Sequence, residues 1–458
     1  MPRTSVLVLN HEPLEERLTG PSIRNWEMAG VLSRSCDVTL AALGAPRRTS
    51  PDFEVTTYER GRMQALVAGH DIVVASGYFL EKFPQLDQAR HLVADLYGPF
   101  VLENLHMHKH ERLPDQHRIA IHDRGVLLRL CRRADMFLCA SDRQRDFWIG
   151  WLTAAGRVNP EVHAWDPRLE KLVRVVPFGL PDEAPERGPA AVRGVIPGIA
   201  PGDILAIWAG GIWNWFDPLV LIRAVDRVKG NLPQLRLLFM ATASPNADTP
   251  PMRMSAEAAR LSDELRLTGR HVFFGGPWVP YEQRGSMLLE ADLGVSTHLL
   301  DVETRYSWRT RLLDFLWAGL PILTTEGDSL ADLVAAERLG ATVPPGDVEA
   351  VATALRELGS NPAALRACGR RSRSVATRFR WSTVLEPLVD YCHEPFRPPD
   401  RESIAADDAE AAAATAPPPA QATRGEARRV LQRGWETLRR QGVGALAAKS
   451  AEYVRKRR

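Results

Sequence analysis

A segment running from Tyr306 to Thr325, YSWRTRLLDFLWAGLPILTT, combines charged side chains with residues suited to burial. Its helix-like first half carries Arg309, Arg311 and Asp314 among leucines and aromatic residues. A guanidinium group can make bidentate contacts to phosphate oxygens, and an ionised carboxylate can accept hydrogen bonds from hydroxyl groups. Phosphate and hydroxyl binding is therefore the chemistry these residues suit. The alternative is a structural helix with an ion pair between Arg311 and Asp314.

The two arginines fall in the first turns of the predicted helix, where free backbone N–H groups favour an anion. Positions 309 and 311 lie about 200° apart around a helix axis. Both side chains can therefore reach one phosphate only if the helix begins irregularly. We expect at least one of them to bind phosphate. The other would then be available to pair with a carboxylate.

Two further stretches carry residues that could do chemistry. Gly210 and Gly211 follow an apolar run, where glycines allow close backbone approach to a phosphate or form a tight turn. An aromatic cluster comes next, formed by Trp213, Trp215 and Phe216. These rings could form the wall of a pocket or pack between the two domains.

The alternating histidines of Glu103–His110, ENLHMHKH, would share one face if this stretch were a strand. A loop histidine is nevertheless the favoured interpretation, and no metal site is predicted.

The elements that position these residues are buried-type apolar runs alternating with helical patterns. This alternation predicts an α/β protein with two doubly wound, Rossmann-like domains that face a cleft, where a ligand is expected. The predicted strands are Ser5–Asn10, Asp37–Leu43, Asp71–Ser76, Pro99–Asn104, Met136–Ser141 and Leu172–Pro177, then Ile204–Gly211, Leu235–Thr242, His271–Gly276, Leu293–His298, Pro321–Thr325 and Gly340–Asp347.

Composition shifts divide the chain into five parts. Residues 1–185 form the first domain, and the Pro- and Gly-rich residues 186–202 a linker. Residues 203–394 form the second domain with closing helices. The Ala/Pro-rich residues 395–423 predict a flexible linker, and residues 424–458 a basic helical tail.

The overall composition, with 45% hydrophobic and 25% charged residues, is typical of a soluble globular protein. Five widely spaced cysteines without a CxxC motif indicate reduced thiols rather than a disulfide framework or a zinc site. The N-terminal apolar run is too short for a signal peptide, and no apolar run reaches the ~18–20 residues of a membrane span. We expect a cytoplasmic protein.

The tail, residues 424–458, holds eleven Arg and Lys against three Glu, a net charge of +8 in a chain of +2. Its apolar residues recur at helical spacing with arginines opposite, which favours a helix lying on an anionic membrane surface. A solvated helix, or one docked on the body of the protein, is the alternative. Nucleic acid is not an expected partner, because no recognised binding module accompanies the arginines.

The segment LLDFLWAGLPILTTEGDSLADLV resembles the signature of retaining GT-B glycosyltransferases of the family-4 type. That signature joins an acidic residue, a helix, Gly-x-Pro, a strand and a small-residue loop; Asp314 and Gly319–Pro321 stand at its first positions. GPSIRNWEMAGVL is similar to the family's glycine-led first helix, and RADMFLCASDRQRDFW to its last crossover before the linker. The resemblance covers residues 5–394, and its second half is the more specific.

The resemblance implies transfer of a sugar from a nucleotide-diphosphate sugar to an acceptor hydroxyl, with retention at the anomeric carbon. The nucleotide would bind the second domain and a sugar or lipid-linked acceptor the first, with no cofactor and no metal. A lipid-linked acceptor would fit a membrane-docked tail and surface-glycan assembly.

The resemblance also implies roles for single residues. Asp314 would bind the ribose hydroxyls. Tyr306 stands where the family keeps a sugar-binding glutamate, so Glu303 is the preferred substitute, ahead of Asp301. The family's diphosphate-binding Arg and Lys are replaced by Gly211 and Asp217, so the arginines of the opening segment would take over their role.

The remaining candidate positions are less specific. His106 is the closest match to a family histidine near the donor sugar, and we predict it as catalytic with Glu303. Trp278 is a candidate for stacking on the base, with loop packing as the alternative. Gly20 and Arg24 would close over the donor.

Two rival functions remain open at this point. The displaced glutamate and the missing cations favour a catalytically silent protein that binds a nucleotide sugar or acts as a scaffold. A sugar-nucleotide epimerase of the same fold would convert the donor without an acceptor.

Overall fold

The computed structural model describes residues 3–242, 252–276 and 278–407. A first compact unit spans Met1–Arg401 and a second spans Glu402–Arg458. The predicted basic tail, residues 424–458, lies outside the described residues, as does most of the linker predicted before it.

The first domain is built on a parallel sheet of seven strands in the order β3-β2-β1-β4-β5-β6-β7. Its central strands read as apolar runs because helices cover both faces of the sheet. The strands are β1 (Ser5–Asn10), β2 (Asp37–Ala42), β3 (Glu54–Thr57), β4 (Ile72–Ala75), β5 (His91–Asp95), β6 (Met136–Cys139) and β7 (Val173–Val175). The helices are α1 (Gly20–Leu32), α2 (Arg60–Ala68), α3 (Phe79–Lys82), α4 (Phe100–Met107), α5 (Leu113–Arg133), α6 (Asp142–Ala154) and α7 (Pro160–Trp165).

The second domain repeats this architecture with six parallel strands in the order β10-β9-β8-β11-β12-β13. The strands are β8 (Ile204–Trp208), β9 (Leu235–Phe239), β10 (Val272–Phe274), β11 (Leu293–Ser296), β12 (Ile322–Thr325) and β13 (Gly340–Val343). The helices are α8 (Pro218–Val228), α9 (Arg253–Glu264), α10 (Arg284–Leu288), α11 (Val302–Tyr306), α12 (Thr310–Ala318), α13 (Ser329–Ala336), α14 (Val348–Gly359), α15 (Pro362–Ala376), α16 (Trp381–Val384) and α17 (Glu386–His393).

Three features of the first sheet differ from the sequence prediction. Pro99–Asn104 was predicted as a strand, and this was wrong: the stretch belongs to α4, none of whose residues is buried. The apolar pattern there is a half-buried helix, and the strand is β5, which the sequence did not predict. Edge strand β3 was also missed, because its residues, EVTT, form no apolar run.

Each sheet has a topological switch point, where the chain reverses its direction of travel across the sheet. It lies between β1 and β4 in the first domain and between β8 and β11 in the second. Open parallel sheets bind ligands beyond the carboxyl ends of their strands at such points. The loop after β8 carries the glycine pair, and α11, which follows β11, carries Glu303, so the topology brings these two together.

Helix α12 is fixed by burial and by its C-terminal cap. Its residues Leu312, Leu313, Phe315 and Leu316 are at most 1% exposed. The cap is Gly319, whose φ of +67° lies in the left-handed region, where glycine has no steric penalty. A Cβ at this position would overlap the side chain of Arg373 from α15. The helix therefore ends at a fixed point, which sets the position of its N-terminus.

The chain contacts the first domain again through α17 and the residues that follow it. The ring of Tyr391 packs edge-on against His91 at 6.2 Å. Asp400 forms an ion pair with Arg157, with 2.9 Å between Oδ2 and Nε and both side chains 0% exposed. The end of the first unit is therefore held against the first domain.

Candidate functional site

A cavity of about 360 Å³ lies between the two domains, beyond the carboxyl ends of β1 and β8. Its size is in the range of small-molecule sites. Both domains contribute to its wall. Eight of the residues predicted from the sequence line it, namely Gly20, Gly210, Gly211, Trp278, Glu303, Arg309, Arg311 and Asp314.

Glu303 and Arg309 form a buried, bidentate ion pair at the wall of this cavity. Arg309 Nη2 lies 2.6 Å from Glu303 Oε2 and Nη1 lies 3.1 Å from Oε1. The two residues are 1% and 5% exposed. Arg309 is the N-cap of α12 and has a non-helical ψ of 81°, so this helix does begin irregularly. The irregular start turns the Arg309 side chain toward α11.

A second carboxylate and a histidine lie behind this pair. Asp328 Oδ2 is 3.8 Å from Arg309 Nε and 3.9 Å from His298 Nδ1. Burial raises the pKa of Asp328 to about 6, although Arg309 opposes the rise. Burial, with repulsion from Arg309, lowers the pKa of His298 to about 3. The imidazole is therefore neutral at pH 7, and the positive charge here belongs to Arg309.

Arg311 lies beside Arg309 but has a different environment. Its Nη2 donates to the carbonyl oxygen of Gly211 at 2.8 Å, and its guanidinium carbon lies 3.8 Å from the centre of the Phe216 ring. Its Nη1 is buried without a hydrogen-bond partner among the described residues. Burial, with repulsion from Arg309, lowers the pKa of Arg311 well below its usual range. This donor is inaccessible in the present conformation, so an anion in the cavity would reach it only after a shift of the side chain, but a nearby negative charge would offset the repulsion from Arg309.

Asp314 pairs with Arg284 of α10, with 3.0 Å between Oδ1 and Nε. The ion pair with Arg311 that was the alternative interpretation does not form. The guanidinium of Arg284 lies between the rings of Tyr281 and Trp317, 3.7 and 4.6 Å from their centres. The side chain of Asp314 is 25% exposed. The Asp314 carboxylate is therefore oriented by Arg284 while part of it remains open to the cavity.

The glycine pair forms the loop after β8. Gly210 has a φ of +74°, which a residue with a Cβ adopts at a cost of about 1–2 kcal/mol. A Cβ at Gly211 would lie 3.2 Å from Trp278 Cζ3. Asp217, which stands in the place of the family's lysine, caps α8 by accepting from Val220 N at 3.1 Å. No cation occupies either family position, and the two arginines of α12 are the positive groups at this loop.

Aromatic side chains line the remaining wall. The rings of Trp213 and Trp215 are stacked, with centres 5.5 Å apart and planes 2° from parallel. Trp278 crosses between the domains, because its Nε1 donates to the carbonyl oxygen of Leu18 at 3.2 Å. Gly20 begins α1 beside Tyr97. Arg24 is fully buried and pairs with Asp95, so it does not reach the cavity as predicted.

His106 is not among the residues that line the cavity. Its Nε2 lies 2.5 Å from Asp301 Oδ2, and Asp301 in turn caps α11. In this structure His106 therefore links α4 to α11. The strand on which three histidines would have shared a face does not exist, since this stretch is a helix followed by a turn. Among the described residues no group of three or more His, Cys, Asp or Glu side chains could hold a metal ion.

Two charged residues were missed by the sequence analysis. Glu103 of α4 lines the cavity from the first domain, and the strand interpretation of its segment concealed it. Arg284 is the partner of Asp314, and only the tertiary structure brings α10 and α12 together. A helical interpretation of ENLHMHKH would have placed Glu103 and His106 on neighbouring positions of one face.

The site combines features that together suit one kind of ligand. Guanidinium groups adjoin a glycine loop at a sheet switch point, a part-exposed carboxylate lies nearby, and aromatic rings line the wall. The first two suit phosphates, and the carboxylate suits hydroxyl groups.

Comparison with known proteins agrees with this description. Residues 204–361 match the family model described as Glycosyl transferases group 1. No curated protein matches the sequence significantly. The second domain is thus a glycosyltransferase group 1 domain.

Solved structures show the fold of the whole first unit. Sucrose-phosphate synthase of Thermosynechococcus elongatus is 15% identical, with a TM-score of 0.60 over 86% of this chain and 99% of that one. WaaG, a glycosyltransferase of lipopolysaccharide biosynthesis, is 17% identical, with a TM-score of 0.59 over 85% and 100%. HepE of Anabaena, solved with UDP-glucose, is 14% identical, with a TM-score of 0.58 over 88% and 99%. The fold is GT-B.

Proposed function

We propose that this protein is a glycosyltransferase that moves a sugar from a nucleotide-diphosphate sugar to an acceptor hydroxyl, with retention at the anomeric carbon. The observation that carries the proposal is the meeting of Arg309, Arg311 and Asp314 with the glycine loop in one interdomain cavity. The matched family model covers this loop and all three side chains.

The proposed roles follow from the geometry of each group. Arg311 binds the diphosphate after a shift of its side chain that brings the buried, unpartnered Nη1 to the cavity, with Arg309 adding positive charge beside it. Asp314, oriented by Arg284, accepts hydrogen bonds from the ribose. Glu303 is held by Arg309, and it contacts sugar hydroxyls from the edge of that ion pair. Such donors, fixed before the substrate arrives, stabilise the charge of a departing diphosphate.

The donor class is tested by binding. We expect one of UDP-, GDP-, ADP- and dTDP-glucose to raise the melting temperature of the full-length protein, with UDP-glucose first because HepE was solved with it. The Asp314→Ala variant should lose most of this shift, while Asp332→Ala, an exposed acid on α13, should keep it. A shift that persists unchanged in Asp314→Ala would remove the ribose role of Asp314.

Retention is tested by the product. Once a donor and acceptor are found, the anomeric proton coupling in the NMR spectrum of the first product should match the configuration of the donor. An inverted product would contradict this part of the proposal.

The diphosphate charge is met by arginines in this proposal, so no bound metal is required. We expect sugar transfer, measured as release of nucleoside diphosphate, to continue at the parent rate after dialysis against EDTA. A loss of activity that Mg²⁺ or Mn²⁺ restores would show that a cation supplies charge that we attribute to Arg309 and Arg311.

A second candidate is a catalytically silent nucleotide-sugar-binding or scaffold protein. It is favoured by the engagement of both arginines in protein contacts, Arg309 with Glu303 and Arg311 with Gly211. Binding of the donor without its consumption in the presence of any acceptor would support this candidate. Consumption of the donor with formation of an epimeric nucleotide sugar would instead support an epimerase.

The tail, residues 424–458, is proposed to hold the protein at an anionic membrane surface in the cytoplasm, near a lipid-linked acceptor in surface-glycan assembly. None of the described helices is long and apolar enough to cross a membrane. In liposome flotation, the full chain should float with vesicles that contain anionic phosphatidylglycerol and remain unbound with neutral phosphatidylcholine. A chain ending at residue 407 should float with neither; if it floats like the full chain, the tail is not the anchor.

A further inference from the structure

Asp328 is a buried acid beside Arg309 to which the proposed donor contacts give no role. It is the N-cap residue of α13, and its Oδ1 accepts from Ala331 N at 2.7 Å. The residue is 0% exposed. Its second oxygen, Oδ2, is buried without a hydrogen-bond partner among the described residues. The cap therefore fixes the carboxyl group by one oxygen and leaves the other oxygen available.

Two nitrogen atoms face this oxygen at nearly equal distances. Arg309 Nε lies 3.8 Å and His298 Nδ1 lies 3.9 Å from Asp328 Oδ2. Both nitrogen atoms are themselves buried without a hydrogen-bond partner in the described part of the chain. Native proteins leave few buried polar atoms unsatisfied. Three such atoms that face one another indicate that these groups have a second arrangement.

The two nitrogen atoms require opposite protonation states of Asp328. His298 Nε2 lies 3.1 Å from the carbonyl oxygen of Glu326. A carbonyl oxygen can only accept, so the proton of the neutral imidazole is on Nε2 and Nδ1 is an acceptor. Protonated Asp328 can therefore donate to His298, whereas ionised Asp328 can only accept, and the donor that faces it is Arg309. A shift of about 1 Å brings either pair to hydrogen-bond distance.

The proton on Asp328 also sets how much of the Arg309 charge is available to a ligand. Arg309 is already bound to Glu303 by two hydrogen bonds. When Asp328 is ionised, two carboxylates share one guanidinium, and the three groups are negative in sum. When Asp328 is protonated, the sum is neutral, and a diphosphate in the adjoining cavity meets less repulsion.

We propose that Asp328 is a positioning residue for donor binding, which takes up a proton when the diphosphate enters the cavity and turns from Arg309 to His298. The proton passes from the solvent to Oδ2, and no covalent bond of the donor changes in this step. Arg309 is thereby released from its second carboxylate while it still holds Glu303. The ligand that these groups select is a negatively charged diphosphate rather than a free sugar or a nucleoside.

The balance of forces on Asp328 agrees with this role. Burial raises the pKa of Asp328 to about 6, against the opposing charge of Arg309. The group is thus largely ionised at pH 7 in the free protein. A negative ligand nearby raises the pKa further and brings proton uptake into the neutral range. Burial, and then repulsion from Arg309, lowers the pKa of His298 to about 3, so the imidazole does not compete for the proton.

The charged groups of the neighbouring helices α11 and α12 are engaged elsewhere. Asp301, which caps α11, pairs with His106 of α4. Arg311 of α12 donates to the carbonyl oxygen of Gly211. These contacts leave the Asp328 oxygen to Arg309 and His298.

The other acids near Asp328 face solvent or the cavity. Glu326 and Asp332 are exposed, and Asp332 pairs with Arg143 of α6. Glu103 lines the cavity from α4. Burial, and then repulsion from Glu303, raises the pKa of Glu103 to about 7. Glu103 is therefore a second acid that can exchange a proton near neutral pH, and the test must separate the two.

This inference rests on the proposed function, and the two can fail separately. If no nucleotide sugar binds the parent protein, the proposed function fails and takes the inference with it. If one binds, it is titrated calorimetrically into the full-length protein at pH 7 in PIPES and in imidazole, two buffers with different enthalpies of ionisation. The doubly esterified diphosphate of the donor does not titrate at this pH. The binding enthalpies should differ in the sense of proton uptake by the protein, and equal enthalpies overturn the inference alone.

Asp328→Asn keeps the capping oxygen, and its amide N–H group imitates the protonated acid. This variant should bind the donor without proton uptake and match the parent affinity at pH 5. At pH 8 it should bind about 10-fold more tightly than the parent, the effect of one charge removed roughly 10 Å away at an effective dielectric constant of about 20. A residue needed only for structure would instead weaken binding at every pH, and that result would contradict the proposal.

Two further variants serve as controls. Asp347→Asn changes the exposed N-cap of α14, which accepts from Ala350 N at 2.9 Å, and it should behave as the parent. Glu103→Gln should keep the proton uptake that Asp328→Asn loses. If the uptake persists in Asp328→Asn, or disappears only in Glu103→Gln, the proton goes to another group and the proposal is wrong.

A second readout needs no ligand. Because the folded state holds the Asp328 proton more tightly than the unfolded chain, ionisation of this group costs stability as pH rises from about 4 to about 6. The melting temperature of Asp328→Asn should therefore gain on that of the parent between pH 4 and 7, while that of Asp347→Asn should not. A difference that stays constant with pH would contradict the exchange of a proton at Asp328.

Discussion

Arg309 and Arg311 show how residues two positions apart can have different tasks. Arg309 satisfies a buried carboxylate, while Arg311 donates to the glycine loop, and among the described residues each keeps one buried nitrogen without a hydrogen-bond partner. The sequence predicted that one would bind phosphate and the other a carboxylate, and the ion pair with Glu303 agrees with the second half. The irregular helix start decides which of them turns toward Glu303, and residue types do not reveal this.

These two side chains should respond differently to truncation. We expect Arg311→Gln to weaken donor binding about 10- to 100-fold, because a charged hydrogen bond contributes about 1.5–3 kcal/mol. Its melting temperature should change little, since a poorly satisfied buried charge is removed with the contact. Isothermal titration with the donor found in the binding screen measures the loss, and Arg356→Gln, an exposed arginine on α14, is the control.

Arg309→Gln provides the contrast. It leaves Glu303 buried and unpaired, so we expect a loss of about 3–5 kcal/mol in the free energy of unfolding, seen in urea denaturation. If the two variants lose donor affinity and stability in the same proportion, the division of tasks between the arginines is wrong.

At the scale of elements, α12 is the part of the site that the sequence predicted best. Its apolar pattern, the Gly-x-Pro turn and the following strand could all be predicted, because the signals for a helix, its cap and a buried strand lie within short stretches of sequence. The region of α4 was the hardest to interpret, since a short apolar run on a half-buried helix has the composition of a strand. The missed Glu103 is a direct result.

The cap of α12 can be tested through Gly319. We expect Gly319→Ala to destabilise the protein by about 1–3 kcal/mol, because φ is +67° and a Cβ would overlap Arg373. The shift at the other end of the helix should also weaken donor binding. Both effects are measured by urea denaturation and calorimetric titration.

The matched control for the cap is Gly230→Ala, at a glycine whose φ is negative and whose Cβ would meet nothing within 4 Å. If Gly319→Ala unfolds like this control, the cap does not fix the helix.

At the scale of the whole molecule, the sequence was sufficient to predict the double α/β architecture. The alternation of strand and helix patterns repeats many times along the chain, so errors in single elements do not change the prediction. The pairing of Asp314 with Arg284 and the bridge from Trp278 to Leu18 did not follow, because they join segments far apart in the sequence. The end of the second domain is a similar case. The sequence predicted it at residue 394, yet the chain continues into contact with the first domain.

That continuation gives a prediction about length. A chain ending at residue 394 loses Asp400 and leaves Arg157 buried without its partner, so it should be about 3–5 kcal/mol less stable than a chain ending at residue 407. The free energy of unfolding in urea compares them. Equal stability would mean that this ion pair contributes nothing to the first unit.

The aromatic wall of the cavity has an optical consequence. Of the twelve tryptophans in the chain, Trp213, Trp215, Trp278 and Trp308 line the cavity. A nucleoside entering between such rings stacks on or near them and alters their emission. The protein therefore carries its own fluorescent reporter, and donor affinity can be followed without a label, in active and inactive variants alike.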